Sequence, residues 1–153
     1  TVEQIKQMEE DMGYVFQEQI YTRFLKKIDK YIIEFQDVAQ TNTLLKKNNI
    51  TYSNMGEFTK DELAKMLGVE AVVSGKILTT KPMSVGGAIA VNVLFGHYAA
   101  TNKVDVNISL YDGSDAKLLF KFDHTYSGGV GSSPESLSKE MMKQVASKFP
   151  YKK

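Results

Sequence analysis

The fold is decided by residues 59–80, which read TKDELAKMLGVEAVVSGKILTT. Thr59 and Glu62 have the spacing of a capping box, which predicts that a helix begins here. Gly68 suits the position just past a helix end, where the backbone turns left-handed. The segment from Glu70 to Thr80 is rich in β-branched residues, so a strand is predicted directly after the helix.

Upstream of this stretch, the sequence predicts another strand and another helix. Residues 31–36 read YIIEFQ and combine β-branched with aromatic side chains, as short buried strands do. Asp37, followed by Gln40 three positions later, is an N-cap signal for a helix that runs to about Lys47. The order strand, helix, short helix, strand is that of a crossover, which predicts a parallel pair of strands.

Downstream, the pattern predicts an antiparallel hairpin and a closing helix. Apolar and polar residues alternate from Val104 to Tyr111, and a strand from Leu118 to Tyr126 returns after a turn at 112–115. Ser133 and Pro134 then mark the N-cap and first position of a final amphipathic helix.

The chain opens with a long amphipathic helix, predicted over residues 2–29. Its apolar stripe recurs every three or four positions: Ile5, Met8, Met12, Phe16, Ile20, Phe24 and Ile28. The stripe fits core packing against the sheet or, alternatively, binding to a partner. Together the elements predict an α/β (α+β) fold in which residues 1–153 form a single three-layer domain. Its mixed sheet is expected to contain the parallel crossover pair and the C-terminal antiparallel hairpin, with helices on both sides.

The composition excludes several classes of function. Lys and Arg number 19 and Asp and Glu 18, a formal charge of +1, which argues against a general nucleic-acid binder or a polybasic membrane-surface protein. The sequence has no cysteine, so disulfides, thiol nucleophiles and Cys-ligated zinc are excluded within it. His97 and His124 are far apart in sequence and lack other ligands at metal-binding spacing. We therefore predict no catalytic residues, no metal and no cofactor.

Residues 82–102 form a stretch without any charged side chain. Its small residues allow two backbones to approach closely, and its bulky residues would make a helix apolar on nearly all sides. The candidate interaction surface consists of Val85, Gly86, Gly87, Ala90, Val91, Leu94, Phe95 and Tyr98. The alternatives are a helix or irregular loop that covers the sheet, and contact with a membrane.

A second candidate site is the glycine-rich connection 127–133, which lies between a predicted strand and a predicted helix. Gly128, Gly129 and Gly131 could cradle an anion at that helix end. The connection lacks the third glycine of a dinucleotide fingerprint and the Gly-Lys-Ser/Thr of a P-loop. A flexible connection is the alternative interpretation.

Residues 63–77, LAKMLGVEAVVSGKI, resemble the segment of a group of bacterial envelope lipoproteins in which a helix, Leu-Gly-Val/Ala-Asp, a strand and Gly-x-Ile follow one another. The group includes the curli secretion channel subunit CsgG and the penicillin-binding-protein activator LpoB, and it is related in fold to the amino-terminal domain of TolB. Residues 31–45 resemble the group's strand that runs into a helix, and residues 106–120 resemble its hairpin. The likeness covers roughly residues 10–148, and its motifs are those of a fold rather than of a site.

The resemblance implies a non-enzymatic domain that binds another envelope protein, in cell-wall synthesis or secretion. It implies a periplasmic location at the outer membrane, through a lipid anchor on a cysteine before Thr1. The group's first strand has no counterpart in the numbered chain, and residues 82–102 stand where channel-forming members carry membrane-crossing hairpins, so channel formation is not expected. Two other functions remain open. One is a self-assembling subunit that buries residues 82–102 against its own copy, and the other is a small-ligand domain that uses residues 127–133.

Overall fold

A computed structural model describes residues 1–80, 103–127 and 134–153. Within these ranges the chain has an α+β fold with four α-helices and a three-stranded sheet. The helices are α1 (Val2–Leu25), α2 (Val38–Lys47), α3 (Lys60–Leu67) and α4 (Pro134–Lys148), with 3₁₀ turns at Ile28–Lys30 and Met55–Glu57. The strands are β1 (Ala71–Thr80), β2 (Lys103–Asp112) and β3 (Leu118–Ser127).

The sheet has β2 in the middle, and both of its pairings are antiparallel. Ile108 of β2 pairs with Gly75 of β1 on one side and with Phe122 of β3 on the other. The pairing of β2 with β3 confirms the predicted hairpin. Its register shifts by one residue beside Leu110, close to the turn.

The hydrophobic core lies between one face of the sheet and the two helices α1 and α4. The core residues of β2 are each at most 3% exposed: Val104, Val106, Ile108 and Leu110. Met141 and Val145 of α4 and Phe24 of α1 are buried against this layer. Burial of a side chain of this size contributes roughly 1.5–3 kcal/mol, so the helix-on-sheet layer dominates the stability.

The predicted helix boundaries at α2 and α3 are confirmed. The Asp37 carboxylate accepts the Ala39 N–H at 2.9 Å, as an N-cap does. The Thr59 N–H donates to the Glu62 carboxylate at 2.8 Å, as expected for the capping box. Gly68 ends α3 with a φ of 67°, in the left-handed region that glycine enters without strain.

The predicted parallel crossover pair is wrong, because every pairing among the described strands is antiparallel. Residues 31–36 do not join the sheet. Tyr31 forms an isolated bridge with Lys152, and the Ile32 N–H donates to the Tyr151 carbonyl at 2.8 Å. The backbone of this segment therefore finds a partner in the C-terminal residues.

The two aromatic side chains of the segment 31–36, Tyr31 and Phe35, pack in an aromatic cluster, whereas Ile32 is 66% exposed. Phe35 stacks on Phe24 with ring centroids 4.6 Å apart, and Tyr31 meets Phe149 edge to face at 5.8 Å. β-Propensity measures how well a side chain fits a half-buried surface rather than a backbone preference. Aromatic packing supplies such a surface here, which explains why the residues look strand-like without pairing.

The predicted mixed sheet is corrected as well, because both pairings of the described strands are antiparallel. The helices that build the core, α1 and α4, share one face of the sheet with the buried residues of β2. On the opposite face, Asn107 donates to Asp123 at 2.7 Å and the Thr125 hydroxyl donates to Asp105. Both hydrogen bonds are exposed, so this face meets solvent at these positions.

Helix α1 is shorter than predicted. Only part of its apolar stripe is buried in the core. The helix ends at Leu25 instead of near residue 29. Phe16 and Phe24 are buried, whereas Ile5 is 36% exposed and Val15 is 48% exposed. The expectation of core packing is thus met by the second half of the helix, and the stripe continues beyond the core cluster toward Val2.

Candidate binding groove

Both sites predicted from the sequence fall on residues whose structure is not described. The interaction residues Val85, Gly86, Gly87, Ala90, Val91, Leu94, Phe95 and Tyr98 lie outside the described ranges, as do Gly128, Gly129 and Gly131. His97 lies outside them too, whereas His124 is exposed on β3 with its ring centroid 4.5 Å from that of Tyr126. The described residues form a different candidate site, an apolar groove beside β1.

The groove is lined by β1, α1, α2 and the segment 32–36, and its volume is about 1610 Å³. Its apolar lining includes Phe16, Ile20, Phe35, Val73, Ile77 and Leu110. Pockets for small ligands usually measure about 300–1,000 Å³, so this groove exceeds their range.

Strand β1 forms the rim of the groove and is an outer strand of the sheet that the described residues form. Among the described strands β1 pairs only with β2, so no described strand lies along its other edge. Leu78 is 51% exposed, Val73 is 38% exposed, and Gly75 between them is also exposed. An edge strand presents backbone N–H and C=O groups that the sheet itself does not use. β1 therefore offers a row of hydrogen-bonding groups and apolar side chains at the same place.

The two outer strands of the described sheet, β1 and β3, differ in how many charged side chains they carry to discourage pairing with another strand. β3 carries the ion pair of Lys121 and Asp123, whose charged atoms are 3.2 Å apart and whose side chains are more than half exposed. β1 carries one charged residue, Lys76. Charged side chains on an edge strand discourage the pairing of another strand. The edge of β1 is therefore the more open of the two.

A reciprocal amide pair fixes the wall of the groove that α1 and α2 form. The Gln17 side-chain amide donates to the Asn42 carbonyl oxygen at 3.1 Å, and the Asn42 amide donates back to Gln17 at 3.1 Å. Both side chains are partly buried, so loss of either would leave the other without its partner. The pair holds α2 in place against α1.

Gln36 fixes the adjoining wall, which the segment 32–36 forms. Its amide donates to the Leu67 carbonyl at 2.8 Å, and its side-chain oxygen accepts the Thr41 hydroxyl at 2.7 Å. Leu67 is the last residue of α3, where helix carbonyls have no partner within the helix. One side chain thus connects this segment to α2 and to the end of α3.

Lys60 connects the start of α3 to the sheet beside the groove. Its Nζ donates to the Ser74 hydroxyl at 3.4 Å and lies 5.5 Å from the ring centroid of Tyr111. A cation over an aromatic face is a favourable contact of modest strength when exposed. The contact positions α3 at the end of the groove.

The titratable groups with shifted pKa values have structural explanations. Tyr14 lies in the groove, where burial, together with the nearby Glu10 carboxylate, raises the pKa of its phenol. The Tyr14 hydroxyl donates to the Glu10 carboxylate at 3.4 Å. Hydrogen bonds from Thr59, Ser114 and Asn107 lower the pKa of the carboxyls of Asp61, Asp112 and Asp123, respectively.

Residues 1–80, 103–127 and 134–153 contain no group of three His, Asp or Glu side chains placed to hold a metal ion. No helix in the described part of the chain has both the length and the apolar character that a membrane span requires.

Comparison of the chain with protein-family models, with curated proteins and with solved structures finds no match. The likeness to the CsgG and LpoB group therefore stays a prediction that rests on the residues quoted for it.

Sequence reasoning missed the groove, because its lining comes from elements that are far apart in the chain. The sequence does contain one signal. β1 has a single charge, Lys76, in ten residues, which is little for an edge strand. That signal becomes meaningful only when β1 is known to lie at an edge.

Proposed function

We propose that this chain is a non-enzymatic protein-binding domain that takes an extended segment of a protein along β1 and the groove beside it. The observation that carries the proposal is the outer edge of β1, along which no described strand lies, next to an apolar groove. A segment added to a sheet edge gains main-chain hydrogen bonds, and its alternate side chains enter pockets on one face.

The exposed side chains of β1 add a hydrophobic contribution to such binding. Full burial of a Val or Leu side chain is worth roughly 1.5–3 kcal/mol, so covering the half-exposed Val73 and Leu78 contributes about 1 kcal/mol each. The groove walls are already held by the Gln17–Asn42 pair and by Gln36. A preformed site lowers the ordering cost of binding.

We place the domain in the cell envelope on the strength of the resemblance alone. Residues 63–77 and the hairpin support a periplasmic protein that is held at the outer membrane by a lipid anchor outside the numbered chain. The partner is then an envelope protein of cell-wall synthesis or secretion. Mass spectrometry of the protein from its native cells is expected to find a lipid-modified cysteine before Thr1, and an unmodified cytosolic product would contradict this location.

Site-specific photo-cross-linking in the native cells tests binding at β1. A benzophenone amino acid replaces Val73 or Leu78 in separate samples, and Lys121 on β3 in a matched control at a similarly exposed position. We expect protein adducts from both β1 positions, identified by mass spectrometry, and none from position 121. Absence of adducts at β1, or equal adducts at position 121, would refute the proposed function.

A further inference from the structure

We propose that the strand that pairs with β1 is β1 of a second copy of this chain, antiparallel to the first and related to it by a two-fold axis through Gly75. The inference rests on the proposed function, because it assigns an occupant to the same outer edge. It joins the three-stranded sheets of two copies into one continuous sheet.

The residues of β1 are self-complementary about Gly75. Residues 72–78 read VVSGKIL, which is two apolar residues, a polar residue, glycine, a polar residue and two apolar residues. An axis through Gly75 creates these pairs between the copies: Val72 with Leu78, Val73 with Ile77, and Ser74 with Lys76. Every apolar side chain thus meets an apolar side chain, and every polar one meets a polar one.

The pairs also fall on the correct faces of the sheet. Val73 and Ile77 pair with Leu110 and Val106 of β2, which are core residues, so they lie on the face of the groove. Directly opposite residues of antiparallel strands point to the same face. An axis that passes through a residue therefore keeps the groove faces of both copies on one side, and it covers the exposed Val73 on that side and Leu78 on the other.

The charge of Lys76 selects the register. With the axis at Gly75, Lys76 faces the hydroxyl of Ser74 in the second copy. An axis at Lys76 would place two ammonium groups directly opposite each other, which destabilises a strand pair. An axis at Ser74 would place Val73 opposite Gly75 and lose the apolar pair. Gly75 is the position that avoids both faults.

The geometry limits assembly through this edge to two copies. A two-fold contact uses the same surface on both partners and closes on itself. The pair occupies the outer edge of β1 in both copies, along which no described strand lies, so neither edge is left to template a further strand. The edge of β3 keeps its Lys121–Asp123 ion pair and its exposure.

The cysteine-free chain allows a direct test with a single introduced thiol. In Gly75→Cys, the two thiols meet on the axis, where Cα atoms of paired residues lie about 4.5–5.5 Å apart, within the range that a disulfide spans. The substitution fits the fold of one copy, because an added Cβ at Gly75 meets only the Asn107 carbonyl oxygen, at 3.9 Å. Gly56→Cys is the matched control, since a Cβ there meets nothing within 4 Å.

Under mild oxidation we expect Gly75→Cys to form a covalent dimer at least about tenfold faster than Gly56→Cys, because pairing raises the effective concentration of the thiols. A mixture of Val73→Cys and Ile77→Cys is expected to form mixed disulfides, whereas each variant alone is not. Sedimentation velocity is expected to show a dimer of the unmodified chain.

A monomeric chain, or equal cross-linking of the Gly75 and Gly56 variants, would overturn the inference. If residues 73 and 78 still photo-cross-link to another protein in that case, the proposed function stands with a different occupant. If they label nothing, both proposals fail.

Discussion

Replacing Gly113 with alanine is expected to destabilise the fold by about 1.5–4.5 kcal/mol. Gly113 follows β2 in the tight turn to β3, and its N–H donates to the Glu70 carbonyl at 2.8 Å. A Cβ at this position would lie 2.8 Å from the Ala64 Cβ and 2.8 Å from the Glu70 oxygen. The Glu70 backbone cannot rotate away, so the turn must shift. Overpacking of this kind costs about 1–3 kcal/mol, and the strained hydrogen bond adds about 0.5–1.5 kcal/mol.

Urea unfolding, followed by far-UV circular dichroism, measures the free energy of unfolding of the Gly113→Ala variant. For a chain of this length the loss corresponds to a fall in Tm of about 3–18 °C. Gly56→Ala is the control, because it has open space around it and is expected to change stability by no more than about 1 kcal/mol. The reasoning is refuted if the two variants unfold at the same urea concentration.

Three further predictions concern the core, the groove wall and the turn. Met141→Ala, at a fully buried position, is expected to cost about 2–5 kcal/mol in the same urea assay, and a smaller loss would show that the core can close the cavity. A double-mutant cycle with Gln17→Ala and Asn42→Ala is expected to give a coupling energy of about 0.5–1.5 kcal/mol, and additive losses would show that the amide pair does not hold α1 to α2. Asp112 has a lowered pKa because Ser114 donates to its carboxylate. Its folded-state pKa lies below the unfolded value of about 3.9, so its contribution to stability is present above that value and is lost as the pH falls through the folded pKa. Titration of the carboxyl by NMR is expected to show a midpoint below 3.9 in the folded chain, and a midpoint at or above that value would contradict the turn geometry.

The local elements could be predicted because their signals are local. Asp37 caps α2 with its own side chain, and Thr59 and Glu62 define the start of α3 within four residues. The β2–β3 hairpin follows from the alternation on both sides of one short turn. These features depend on residues that are close in sequence, and the structure shows each of them where it is expected.

Local sequence signals could not test the predicted parallel crossover, because the strands that pair in a sheet can be far apart in the sequence. Residues 31–36 have the composition of a strand, but Phe35 and Tyr31 are accommodated by the rings of Phe24 and Phe149. Periodicity describes how a segment divides between core and solvent, and it carries no information about which backbone lies beside it. The packing of aromatic rings from both ends of the chain decided the outcome.

The candidate sites also differ in whether the sequence or the tertiary structure identifies them. The sequence predicted binding at residues 85–98, which lie outside the described ranges, and that prediction stands untested. The groove and the outer edge of β1 emerged only from the three-dimensional arrangement. Val73 and Leu78 look like ordinary strand residues until β1 is seen to pair on one side only.

The sequence by itself therefore determined the helix caps, the left-handed turn at Gly68, the antiparallel hairpin and the absence of cysteine chemistry in the chain. The tertiary structure decided that β1 pairs antiparallel with β2, that Tyr31 and Phe35 pack against other aromatic rings, and that no described strand lies along the outer edge of β1 beside the groove. Caps and turns are satisfied by atoms within a few residues, whereas strand order and open edges depend on which distant surfaces give the lowest free energy when they pack together.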